Sequence, residues 1–155
     1  MSSSMDHGIL SPRRLFEEYA AKHQLGNCLP DEEGNAEFAL GNGLVISGMV
    51  QSGGGIGLRV ELPLFAPVSD ALARELLKRN LGAVMQDGIL FAYDPNSEAL
   101  ILSVRLGAQR LTISALETAL ARLADAVRDL DGLDAALDAA KTQGTAQTFS
   151  PKEFA

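Results

Sequence analysis

Residues that could carry chemistry are scarce in this chain. Cys28 is the only cysteine, which excludes an intramolecular disulfide and a cysteine-based metal cage. The two histidines, His7 and His23, have no second histidine or carboxylate at metal-ligand spacing. Tryptophan is absent and aromatics are 5% of the 155 residues, so the 46% apolar content comes mainly from Ala, Leu, Val and Ile. Cations are in deficit, with 13 Lys and Arg against 20 Asp and Glu and a net charge of −7. A polyanion is repelled by that balance, which argues against nucleic acid or an anionic membrane surface as partner. No stretch approaches the roughly 18 unbroken apolar residues of a membrane span. Met1–Pro12 has neither the basic start nor the apolar run of a cleaved signal. The expected location is the cytoplasm, without membrane insertion.

Catalytic patterns are equally hard to find. Gly53-Gly54-Gly55-Ile56-Gly57 has the look of a phosphate loop but lies between two strand-like runs, and no Gly-Lys-Ser/Thr follows. A hairpin turn is the better reading. Cys28 has no sequence-local His, Lys or Arg to activate it and reads as a small buried hydrophobe. Asp31, Glu32 and Glu33 form a loop run of solvated acids. Ser47, Ser103 and Ser114 lack a nucleophile elbow. The chain is expected not to be an enzyme and to need no cofactor or metal.

Elements, by contrast, are plentiful. Ser11-Pro12 supplies a cap and a first-turn proline for a helix carrying Leu15, Phe16, Tyr19, Ala20 and His23 on one stripe. Gly26 and Pro30 stop it. Ala36–Leu40, Leu44–Gln51 and Ile56–Leu64 read as three strands, joined by turns at Gly41-Asn42-Gly43 and Ser52–Gly55. Leu58, Val60 and Leu62 alternate with Arg59 and Glu61, which predicts one wet face. Ser69 or Asp70 caps a second helix through Leu72, Leu76, Leu77, Asn80 and Leu81, with Gly82 as its end. Ile89–Asp94 and Ala99–Leu106 form a hairpin around Asp94-Pro95-Asn96-Ser97.

The last helix is the clearest, from about Thr112 to Ala140. Leu116, Leu120, Leu123, Val127, Leu130, Leu133 and Leu137 recur at spacings of 4, 3, 4, 3, 3 and 4, with Ser114-x-x-Glu117 as its capping box. A seam this short, in a chain with five strands, lies across a sheet rather than in a coiled coil. The fold class is α+β: a single domain in the order α-βββ-α-ββ-α, with a twisted antiparallel sheet packed by helices. Residues 1–10 are expected to be a flexible arm, 11–140 the domain and 141–155 a flexible tail.

This order resembles the class I type III secretion chaperones, the family that includes the Tir chaperone. The likeness is carried by Leu15-Phe16-x-x-Tyr19, by Leu29-Pro30-Asp31-Glu32-Glu33-Gly34 leading into Phe38-Ala39-Leu40, and by Leu58-Arg59-Val60-Glu61-Leu62 running to a proline. Ala71–Asn80, the strand pair around Asp94-Pro95 and the leucine-rich last helix also match. It spans about Leu10 to Leu137; the Gly53–Gly55 turn and the tail after Lys141 fall outside it.

The resemblance implies a cytoplasmic homodimer that binds the N-terminal segment of an effector protein, keeps it non-globular, and presents it to a component of the secretion apparatus, its ATPase being a candidate. By family analogy the effector groove falls on the first helix and first three strands, at Leu15, Phe16, Tyr19, Phe38, Leu44, Ile46 and Met49. The dimer contact falls on the second helix and fourth strand, at Leu72, Leu76, Leu77, Phe91 and Tyr93. Some of these must be ordinary core, since alternate residues of each element face inward. The alternative from another class is a non-enzymatic adaptor subunit packing against one folded partner.

Overall fold

The computed structural model describes residues 8–39, 43–63, 68–86 and 88–143, with 27 and 134–143 given by their backbone. Three helices, α1 (Pro12–Lys22), α2 (Asp70–Gln86) and α3 (Ile113–Gln143), accompany five strands, β1 (Ala36–Ala39), β2 (Val45–Val50), β3 (Ile56–Pro63), β4 (Leu90–Asp94) and β5 (Ala99–Leu106). The strands form one antiparallel sheet in the order β1-β2-β3-β5-β4. The α+β order read from the sequence is the one that forms.

Local chemistry sets the helix starts. Ser11 Oγ accepts the Arg14 N–H at 3.4 Å, and Pro12 occupies the first turn, where no N–H is needed. Ser69, rather than Asp70, caps α2, with its Oγ accepting from Leu72 N at 3.1 Å. For α3 the cap is Thr112, whose Oγ1 accepts from Ala115 N at 3.1 Å. The expected Ser114–Glu117 capping box does not form. Glu117 instead turns towards α1, where the Lys22 ammonium and the His23 ring outcompete a backbone N–H for its carboxylate.

Two boundaries depart from expectation. Gly82 lies inside α2, which continues to Gln86. A glycine costs a helix interior only about 1 kcal/mol against alanine, and tertiary contacts can offset that. The N-terminal arm is partly fixed: Leu10 N–H bonds to Leu111 O at 2.9 Å, while residues 1–7 lie outside the described ones. So do Leu40 of the predicted first strand, Gly41 and Asn42 of the predicted Gly41-Asn42-Gly43 turn, and 144–155 of the predicted tail.

Alternation puts one face of the sheet in the core. Phe38, Ile46, Ile56, Leu58, Val60, Leu100, Leu102 and Val104 are buried there. Leu116, Leu120, Leu123, Val127 and Leu130 of α3 lie across β3 and β5 and complete it, and Cys28 is buried with them. The opposite face carries Ser47, Met49, Arg59, Glu61, Ser103 and Arg105. β1 and β4 are left as the two edges.

Candidate functional site

Two surfaces stand apart from this core. The first is the α1–β1 side. Leu15 and Phe16 are fully buried on the inner face of α1, and Phe16 packs on Phe38 of β1 with ring centroids 5.5 Å apart. Tyr19, one turn on, meets Phe38 edge-on at 5.3 Å and lies 4.5 Å from the His23 ring. Burial raises the Tyr19 hydroxyl above its ordinary pKa, and the Glu117 charge adds to the effect. Gly48 of β2 makes room for this aromatic ladder: a Cβ there would sit 2.8 Å from Phe16 Cζ.

Polar contacts at both ends fix α1 in place. Arg13 donates to the carbonyls of Asp31 and Glu32 at 2.7 and 3.3 Å. The Asp31 carboxylate accepts from Glu33 N and Asn35 N, both at 2.9 Å, so the predicted acidic loop is an ordered turn. At the other end Glu117 Oε1 lies 2.6 Å from Lys22 Nζ and 3.0 Å from His23 Nε2. Hydrogen bonds from Lys22 and then His23 hold the Glu117 carboxyl below its ordinary pKa.

The predicted groove residues therefore fall into different places. Leu15, Phe16, Phe38 and Ile46 meet on the helix side of the sheet, fully buried, and support that surface from beneath. Tyr19 and Leu44 are half-buried against the same cluster. Met49 is 39% exposed and, three residues from Ile46, points to the other face of the sheet. The structure does not bring it to the same surface as α1.

The second surface is α2 with β4. Leu72 and Leu76 face the core, Phe91 is half-buried, and Leu77 and Tyr93 are exposed at 67% and 50%. The exposed stripe is longer than expected: Leu81, Val84 and Met85 are 72%, 67% and 80% exposed. Residues 77, 81, 84 and 85 share one side of a helix. Their spacing is present in the sequence, but a helix that ends at Gly82 hides it. A cleft of about 190 Å³ lies between the two elements, lined by Val68, Ala73, Leu76, Leu77, Asn80, Phe91, Ala92, Tyr93 and Leu100. Asn80 bridges it, donating Nδ2 to Phe91 O at 2.8 Å and accepting the Phe91 N–H at 2.7 Å. In the sequence Asn80 is one more residue of the second helix; a carboxamide facing an edge strand gives no periodic signal.

Among the described residues no group of three or more His, Cys, Asp or Glu is placed to hold a metal ion. What the two surfaces offer is apolar contact beside a sheet edge, which suits binding a polypeptide.

Residues 14–131 match the Tir chaperone protein (CesT) family. The chain belongs to that family. Solved structures with the fold of this Tir chaperone family member include the ExsC–ExsE complex, at 23% identity, TM-score 0.63, and coverage of 73% of this chain and 85% of that one. The HopA1–SchA chaperone–effector complex is 16% identical with TM-score 0.65, covering 76% and 90%. The Yersinia pestis type III secretion chaperone SycH in complex with a stable fragment of YscM2 is 18% identical with TM-score 0.66, covering 77% and 99%. No curated protein sequence matches the chain. At these identities the structural likeness concerns the fold, while the family match makes the chain a type III secretion chaperone.

Proposed function

We propose that this secretion chaperone is a cytoplasmic homodimer that holds the N-terminal segment of an effector extended along its α1–β1 side and delivers it to the secretion apparatus, where the ATPase is the receiving component. The observation that carries this reading is the inequality of the two sheet edges. Among the described residues β1 has a strand on one side only and lies beside the aromatic ladder of α1, open to a strand whose main chain pairs with it and whose side chains contact Tyr19 and Leu44. Main-chain bonds tolerate many sequences; the side-chain contacts choose among them. β4 lies under α2, whose stripe of Leu77, Leu81, Val84 and Met85 leaves four neighbouring large apolar side chains bare, the kind of patch that marks an interaction surface. A second copy pairing through that stripe in two-fold fashion covers it and doubles the surface an effector segment can wrap. The chaperone–effector description of the HopA1–SchA complex, a structure of the same fold, supports the same kind of client here.

Coexpression with N-terminal effector fragments of several tens of residues, followed by light scattering, tests the reading. The expected species is two chains, twice 16.4 kDa, with one fragment that shows no tertiary structure of its own. A single chain bound to a folded partner would contradict it.

A further inference from the structure

The β4 edge of the sheet is closed by a side chain where another strand would otherwise pair. The Asn80 carboxamide offers Phe91 one donor and one acceptor, at 2.8 and 2.7 Å, which is what the peptide group of a neighbouring strand would offer. In an antiparallel ladder alternate residues turn both backbone groups towards the same neighbour. Phe91 gives both to Asn80, so Leu90 and Ala92 serve β5, and the outward positions of β4 are Phe91 and Tyr93. The strand is only five residues long and runs straight into Pro95, which has no N–H. With Phe91 occupied, an incoming strand finds no two consecutive outward pairs. Among the described residues no side chain bonds the β1 backbone in this way.

We propose that Asn80 guards the β4 edge against strand addition and so confines the extended effector segment to β1. Exposed edges recruit other strands, and proteins block them with a side chain, a bulge or a covering helix. Here the covering helix and the blocking side chain are the same element. Asparagine suits the task because its amide has both functions in one plane; aspartate of the same shape repels the Phe91 carbonyl, and leucine leaves both groups unpaired. The part of the proposal that concerns the effector rests on the strand-addition reading above, whereas self-association through β4 does not.

Asn80→Leu and Asn80→Asp test the proposal, each checked for a native circular dichroism spectrum, with the isosteric Asp variant standing in if Leu does not fold. Without effector, wild type keeps one mass across concentration by light scattering. The variants gain mass as concentration rises, and their Phe91 amide exchange becomes concentration-dependent. In a second arm, Cys is placed at Glu37 of β1 or Ala92 of β4 and trapped by a disulfide to a cysteine in the coexpressed effector fragment. Trapping occurs only from Glu37→Cys in wild type and from both positions once Asn80 is replaced. Folded variants that keep the wild-type mass and still trap only from Glu37→Cys overturn the proposal, as does wild-type trapping from Ala92→Cys. A fragment that traps at neither site in wild type sinks the strand-addition reading, and the self-association arm still decides the role of Asn80.

Discussion

Gly48→Ala is the smallest change that loads the aromatic ladder. Replacing a glycine with alanine where the backbone allows it stabilises a protein by about 0.4–1 kcal/mol, by restricting the unfolded chain. At Gly48 that gain meets an occupied space: the new Cβ lands 2.8 Å from Phe16 Cζ, 3.0 Å from Phe16 Cε1 and 3.3 Å from Phe38 Cε2. Carbon atoms rest about 3.5–4.0 Å apart, so the Phe16 ring has to retreat by about 0.7 Å. It has nowhere to go, since Phe16 is fully buried and already packs on Phe38, which packs on Tyr19. Overfilling a packed core costs about 1–3 kcal/mol. The net expectation is a loss of about 1–2 kcal/mol, or a melting temperature lower by about 2–8 °C for a chain of this size. Urea unfolding should show a lower midpoint at unchanged slope. Combining Gly48→Ala with Phe16→Leu should cost less than the sum of the two single changes, because the shorter side chain vacates the contested space. In the same assay Gly82→Ala, where nothing lies within 4 Å of the added atom, should raise stability. A Gly48→Ala protein that melts at or above wild type, or strict additivity with Phe16→Leu, would refute the packing argument.

Two further outcomes follow from other parts of the fold. Glu117→Gln removes the ion pair to Lys22 and the carboxylate that His23 hydrogen-bonds, an exposed contact worth about 0.2–1 kcal/mol at neutral pH. The folded-state pKa of Glu117 is depressed, so its stabilisation is present above the unfolded value near 4.3 and is lost as pH falls through the folded one. The gap in melting temperature between wild type and variant should therefore close below about pH 4, and a gap that persists unchanged into acid contradicts the assignment. Leu81→Glu places a charge in the middle of the exposed α2 stripe; it should leave the monomer folded, since the side chain is 72% exposed, and weaken dimerisation at least ~10-fold by sedimentation. Unaltered association would remove the stripe from the dimer contact.

Much of this fold was legible because burial on one side of an element leaves a period in the sequence. The alternation of Leu100, Leu102, Val104 and Leu106 and the heptad-like seam of α3 both report the core they fill. Interactions between distant segments leave no such trace. Glu117 looked like a local cap because Ser114 stood at the right spacing, and only the fold brings Lys22 and His23 to it. Gly82 read as a terminator because intrinsic preference is all a sequence displays there, while the helix runs on to Gln86 and the Gly88 N–H closes it on Ala83 O at 2.9 Å. The groove residues were partly misplaced for a related reason: apolar identity marks Phe16 and Ile46 equally as core or surface, and pleating then sends Met49 to the far face.

Amide hydrogen exchange, measured on the chain alone and with a bound effector fragment, probes the account at its centre. Protection should rise along residues 36–39 of β1, while the fragment shows short protected stretches and no cooperative fold. Protection that rises only around α2 and β4, or a fragment that exchanges as a compact folded unit, would contradict the claim that this chaperone carries its client as an added strand.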